Sequence, residues 1–156
     1  MNAYLLTVLL GGSIAGVLDI AFAISFAAYN GATPVRLLQT VASGLLGKAA
    51  FTGGLPVAAL GLALHFAMSY LWAGAFLAWA RLAPALAQHF VISGVLFGAV
   101  VFLAMRLLVL PLSAFPYPVT FKPLATVLDL LSHALLFGVP IAWAAQRALL
   151  GAAAKA

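Results

Sequence analysis

The chain has 156 residues, 67% hydrophobic and 6% charged, with a formal net charge of +5 and no cysteine. Several apolar stretches reach the roughly 20 residues that cross about 30 Å of hydrocarbon, which argues against a soluble enzyme and for one transmembrane domain over residues 1–156. The seven Lys and Arg residues stand singly rather than in runs, which excludes a phosphate-neutralising nucleic-acid surface; lack of cysteine excludes disulfides and thiolate chemistry.

The first span covers residues 4–29 and ends at the turn signal Asn30-Gly31. It has no basic n-region, and Asp19 interrupts what would be a signal core, so it reads as a retained span. Gly12, Ser13 and Gly16 give it a small-residue face for close helix contact. Thr33-Pro34 then reads as an N-cap with proline at the first helical position. Over residues 34–48, Arg36, Gln39, Thr40, Ser43, Gly47 and Lys48 share one face, and Leu38, Val41, Ala42, Leu45 and Leu46 the other. This short amphipathic helix is placed in the membrane interface, with a re-entrant or protein-packed helix as the competing reading.

The second span covers residues 55–82, with Trp79 and Arg81 in a belt at its far end. Pro84 breaks the chain, and the third span, residues 88–110, carries Gly94 and Gly98 as a GxxxG pair, more often internal packing than dimerisation. The proline-rich stretch 111–118 cannot continue a helix and forms a stiff connection. The fourth span, residues 123–147, contains Pro140, where a kink would free a backbone carbonyl. The predicted fold is an all-α integral membrane protein with four transmembrane helices and one short amphipathic helix, interfacial or re-entrant.

Four spans put both termini on one side, A, with Arg81, Arg147 and Lys155; side B holds Arg36, Lys48 and Lys122. The basic residues tie at three each, and the closeness of Arg147 to Lys155 favours A as the cytoplasmic side. Arg36, Lys48, Arg81 and Trp79 are assigned to the lipid interface.

Both acidic side chains, Asp19 and Asp129, fall inside the spans, where a charge costs at least about 2.5–3.5 kcal/mol unless it is paired or wet. At 1.5 Å rise per residue, Asp19, His65 and His133 each lie about 3 Å from mid-span toward side B, and Arg106 and Asp129 about 9 Å. Asp129 and His133 are spaced i, i+4 and share a face, and the short connection between the last two spans lets Arg106 pair with Asp129. Asp19 has no basic residue at its own level and is expected to bond His65 or His133, to be protonated, or to share the field of Arg106.

Asp19, His65, Asp129, His133 and Arg106 are therefore the candidate polar, proton-binding site, suited to a small transporter or a pH-responsive protein. The plain alternatives are a structural Arg106–Asp129 staple and a helix-packing hydrogen bond from His65. His65 and His133 also qualify as axial ligands of a haem in an electron-transfer bundle. A structural subunit or assembly partner of a membrane complex is a third reading, with the amphipathic helix as docking surface. No H-E-x-x-H, paired-acid metal motif or G-x-S-x-G occurs, so no metal, no catalytic residue and no enzymatic activity is predicted. The expected partners are the lipid bilayer and a second copy or another membrane protein.

Residues 11–20 (GGSIAGVLDI), 32–47 (ATPVRLLQTVASGLLG), 62–66 (LALHF) and 109–113 (VLPLS) resemble a group of small bacterial inner-membrane proteins, the YagU-type family. The resemblance covers nearly the whole chain. It implies a multi-pass protein of the bacterial inner (cytoplasmic) membrane and an association with acid tolerance. That group has a polar uncharged residue where this chain has Arg106, so a function resting on Arg106 and Asp129 is not implied by it.

Overall fold

Long apolar runs with few interruptions fold as long helices, because only internally hydrogen-bonded backbone is stable in hydrocarbon. In the computed structural model, which describes residues 3–83 and 88–153, α1 spans Ala3–Tyr29 and α2 Pro34–Leu46, followed by a 3₁₀ turn, Gly47–Thr52. Next come α3, Gly54–Leu82, α4, Phe90–Leu112, and α5, Pro123–Leu149, continuing to Ala153. Helices α1, α3, α4 and α5 are long and apolar enough to cross a membrane. Among the described residues there is no strand. The Pro84 break and Lys155 lie outside the described residues.

The chain is welded by glycines that let backbones touch. On α1, a Cβ at Gly12 would meet the Tyr70 ring and one at Gly16 the Phe66 ring, both on α3. Ser69 Oγ donates to the Gly12 carbonyl at 2.6 Å, and His65 Nε2 to the Gly16 carbonyl at 2.9 Å. Residues four apart on α3 thus bond carbonyls four apart on α1. Gly94 and Gly98 of α4 lie against the backbone of α5 around Val139 and His133, so the GxxxG pair packs within the chain. The apolar core, with Phe76, Leu77, Phe97, Val101, Phe137 and Ile141, lies from mid-span toward side A and leaves the side-B half for the polar groups.

Thr33 caps α2 as expected, accepting from the Arg36 N–H at 3.1 Å, with Pro34 at the first helical position. α2 packs against α3 through its small and polar residues. Gln39, Ala42 and Ser43 are buried and Leu45 and Leu46 exposed. Gly61 of α3 meets the Leu38 carbonyl, and Gln39 donates to the Gly54 carbonyl at 3.2 Å. α2 is therefore packed on protein, with Leu45 and Leu46 left facing outward. In an apolar surround leucines lose little by facing outward, whereas small residues gain close contact.

Both interior prolines follow widened turns. The α4 helix is π-helical over Met105–Val109, with the Leu110 N–H bonded to the Met105 carbonyl, and continues through Pro111 to Leu112. The expectation that Pro111 ends the helix is corrected: the π turn accommodates a ring that has no N–H and would clash with the carbonyl of the preceding turn. In α5 the π-helical stretch Ser132–Gly138 precedes Pro140 in the same way. Arg106 sits in the first widened turn, Ser132 and His133 in the second.

Candidate functional site

The widened turns aim their polar side chains at one another. Arg106 donates from Nη2 to Asp129 Oδ2 at 2.8 Å and from Nε to the same oxygen at 3.2 Å. Its Nη1 donates to the Thr120 carbonyl at 2.6 Å. The ion pair expected from shared depth and the short connection is therefore present, and Arg106 also ties the α4–α5 connection to α4. The guanidinium carbon also lies over the rings of Phe102 and Phe121, 5.4 and 5.5 Å from their centroids, so the cation meets two aromatic faces.

His133 stands between both acids. Its Nδ1 is 2.9 Å from the Asp129 main-chain carbonyl and 3.1 Å from Asp129 Oδ1. Asp19 Oδ1 is 4.0 Å from the same nitrogen. A nitrogen facing three oxygen acceptors carries the hydrogen, which assigns the Nδ1–H form to the ring. Phe102 and Phe137 flank the imidazole at 5.8 and 6.0 Å.

Asp19, on α1, accepts from Ser132 Oγ at 2.7 Å. Depth and charge alone do not single out Ser132, though its i, i+3 spacing from Asp129 puts it on the face shared by His133. The Thr120 carbonyl is a main-chain group that side-chain chemistry does not announce. His65 makes no hydrogen bond to Asp19 or His133; its Nε2 is taken by Gly16, the helix-packing role set against a functional one. It does share a small cavity, about 50 Å³, with Asp19, Ser69, Trp72 and His133. A larger cavity of about 300 Å³ is lined by Arg106, Asp129, Phe115 and Thr120. His133 and Met105 line both.

The interface residues stand apart from this cluster. The Arg36 guanidinium lies 3.8 Å over the Phe51 ring and that of Arg81 4.7 Å over the Tyr4 ring. Lys48 is in the 3₁₀ turn, and Trp79 is exposed, edge-on to Phe76. No group of three or more His, Cys, Asp or Glu side chains able to hold a metal ion occurs among the described residues.

Four membrane-length apolar helices around an internal polar cluster have the architecture of a multi-pass membrane protein. No family model, no curated protein and no solved structure matches the chain.

Proposed function

We propose that this is a non-enzymatic, multi-pass protein of the bacterial inner membrane whose Asp19–Ser132–His133–Asp129–Arg106 network exchanges protons. It would act as a small transporter or as a pH-responsive membrane protein. One observation carries the reading: His133 Nδ1 lies between carboxylates on two different helices, 3.1 Å from Asp129 and 4.0 Å from Asp19. Charge counting gives that placement meaning. One arginine against two carboxylates leaves the cluster with one net negative charge when His133 is neutral and balanced when His133 is protonated. Gain or loss of one proton therefore changes the charge balance of the site, the property a proton-exchanging cluster needs.

The likeness to YagU-type proteins supports the inner-membrane placement and agrees with a link to acid, and we propose membership on that basis. Haem ligation is less well supported. The cavity that His65 and His133 share is about 50 Å³, far smaller than a porphyrin. A macrocycle would need these helices spread apart.

Infrared titration of the protein in lipid, across about pH 5 to 8, where imidazole changes charge, tests the proposal. Imidazole and carboxyl bands that change together, and are lost in His133→Gln and Asp19→Asn, are expected. Bands that do not respond to pH would overturn it. Proton uptake into proteoliposomes under an imposed potential then separates a transporter from a sensor.

A further inference from the structure

Both acidic side chains of the protein, Asp19 and Asp129, lie inside the spans, where Asp129 is paired with Arg106 and both acids flank His133. The cations at the helix ends therefore have no acidic side chain to pair with, because the chain contains no other Asp or Glu. Arg36, at side B, shows the consequence most clearly. Whereas Arg106 uses Nε, Nη1 and Nη2 on acceptors within the chain, the exposed guanidinium of Arg36 has no acceptor among the described residues. It is nonetheless held in place, with its carbon 3.8 Å over the Phe51 ring. At that distance the two planes stack, since an N–H aimed at the ring would hold the carbon farther off. Stacking uses the face of the cation and leaves its edge, with the N–H donors, open to an anion.

Phe51 brings two more polar groups to the same place. It belongs to the 3₁₀ turn Gly47–Thr52, and at three residues per turn the exposed Lys48 lies on the same face, one turn earlier. Tyr117, in the α4–α5 connection, has its ring 5.8 Å from that of Phe51. It too is exposed, and its hydroxyl has no hydrogen-bond partner among the described residues. Three elements distant in sequence thus set a guanidinium, an ammonium and a phenol about one ring. Two cations on one face repel each other unless an anion joins them. We infer that Arg36, Lys48 and Tyr117 form a binding site for a phosphate group, and that its occupant is the headgroup of an anionic phospholipid. The guanidinium edge matches two phosphate oxygens, the ammonium adds charge, and the phenol donates a further hydrogen bond. Position favours lipid over free phosphate: the residues lie at the side-B ends of the spans, and the exposed Leu45 and Leu46 just before Lys48 give acyl chains an apolar surface. The site stands apart from the proton-exchanging cluster and does not rest on it.

Native mass spectrometry of the protein in neutral detergent, titrated with phosphatidylglycerol, counts bound lipids and measures their affinity. The wild type is expected to hold one phosphatidylglycerol more tightly than any further copies. Arg36→Gln and Lys48→Gln should each weaken that lipid about tenfold or more, the effect of losing a charge-assisted hydrogen bond. Tyr117→Phe keeps the ring and should weaken it by a smaller factor. Lys122→Gln removes one charge from the same side of the membrane, at the N-cap of α5 and outside the Phe51 stack, and should leave it unchanged. The four substituted side chains are exposed, so the variants should melt with the wild type in the same detergent. Wild-type affinity in Arg36→Gln would overturn the site, and so would an equal loss in Lys122→Gln, which would mean that surface charge alone attracts the lipid. Two further probes separate the sources. A glycosyl diacylglycerol, which has the chains and no phosphate, should bind no tighter at this place in the wild type than in Arg36→Gln; a preference equal to that for phosphatidylglycerol would overturn phosphate recognition. Inorganic phosphate should fail to displace the bound lipid, and ready displacement would overturn the lipid as occupant.

Discussion

Gly98 of α4 lies directly against the main-chain carbonyl of His133 in α5, at a place where a Cβ would overlap backbone. Gly138 meets the Gly94 carbonyl in the same manner one turn away. The π-helical turns that carry Ser132 and His133 are therefore held by contact of two backbones, with no flexible side chain able to yield. Gly98→Ala is expected to destabilise the protein by about 1–3 kcal/mol, the usual cost of overpacking. Gly74, also helical, has nothing within 4 Å of the place a Cβ would occupy, and Gly74→Ala should leave stability unchanged or raise it by up to about 1 kcal/mol. Thermal unfolding of both variants in detergent checks the contrast; equal melting would contradict the close α4–α5 contact.

The helices, their order and the Arg106–Asp129 pair are legible in the sequence because hydrocarbon thickness and the cost of a lone charge constrain them strongly. Depth along a span places Asp19 and His133 together for the same reason. It does not say how each helix is rotated about its axis, so it groups His65 with the acids although that ring turns to the Gly16 carbonyl. The amphipathic pattern of α2 marks Leu45 and Leu46 as an apolar face, but it does not say that Gln39 on the other face reaches the Gly54 carbonyl at the start of α3. The widened turns are half visible: Pro111 and Pro140 announce a disturbance, but whether a proline kinks, ends or widens a helix depends on what packs beside it.

Breaking the Arg106–Asp129 pair on one side strands a charge among apolar helices. Arg106→Met and Asp129→Leu are each expected to cost about 2.5–3.5 kcal/mol, the insertion penalty of an unpaired charge. The double variant should cost clearly less than the sum, because removing both partners leaves no stranded ion. A double-mutant cycle from unfolding in mixed micelles measures this, and simple additivity would mean that the two charges do not depend on each other.

Asp19→Asn keeps an oxygen to accept from Ser132 while removing the charge. It should melt at or above the wild type, with the pH dependence of stability between about pH 5 and 8 diminished, as expected where a costly group is retained for function. Ser132→Ala removes the donor and leaves the carboxylate without it, at a cost of about 0.6–1.7 kcal/mol, the range for hydrogen bonds between membrane helices. An Asp19→Asn variant that melts lower at every pH would make Asp19 a packing element and remove the main support for proton exchange.

Residues 113–122 form a strap over the larger cavity, pinned at both ends. At one end the Ala114 N–H donates to the Gly44 carbonyl of α2 at 2.9 Å, and the Tyr117 ring lies 5.8 Å from that of Phe51, itself beneath Arg36. At the other, Arg106 holds the Thr120 carbonyl. Since the chain has no cysteine, Val119→Cys gives a single reporter on the strap, and its rate of reaction with a membrane-impermeant maleimide reads how often the strap opens. A hydrogen bond from a charged donor is worth about 1.5–3 kcal/mol, and about 1.4 kcal/mol is a factor of ten in an equilibrium. Adding Arg106→Gln should therefore speed labelling about tenfold or more. Phe51→Ala, which acts only on the far anchor, should speed it by a smaller factor. Labelling unchanged by Arg106→Gln would mean that the strap is held by α2 alone, and that the state of the Arg106–Asp129 pair does not reach the mouth of the cavity.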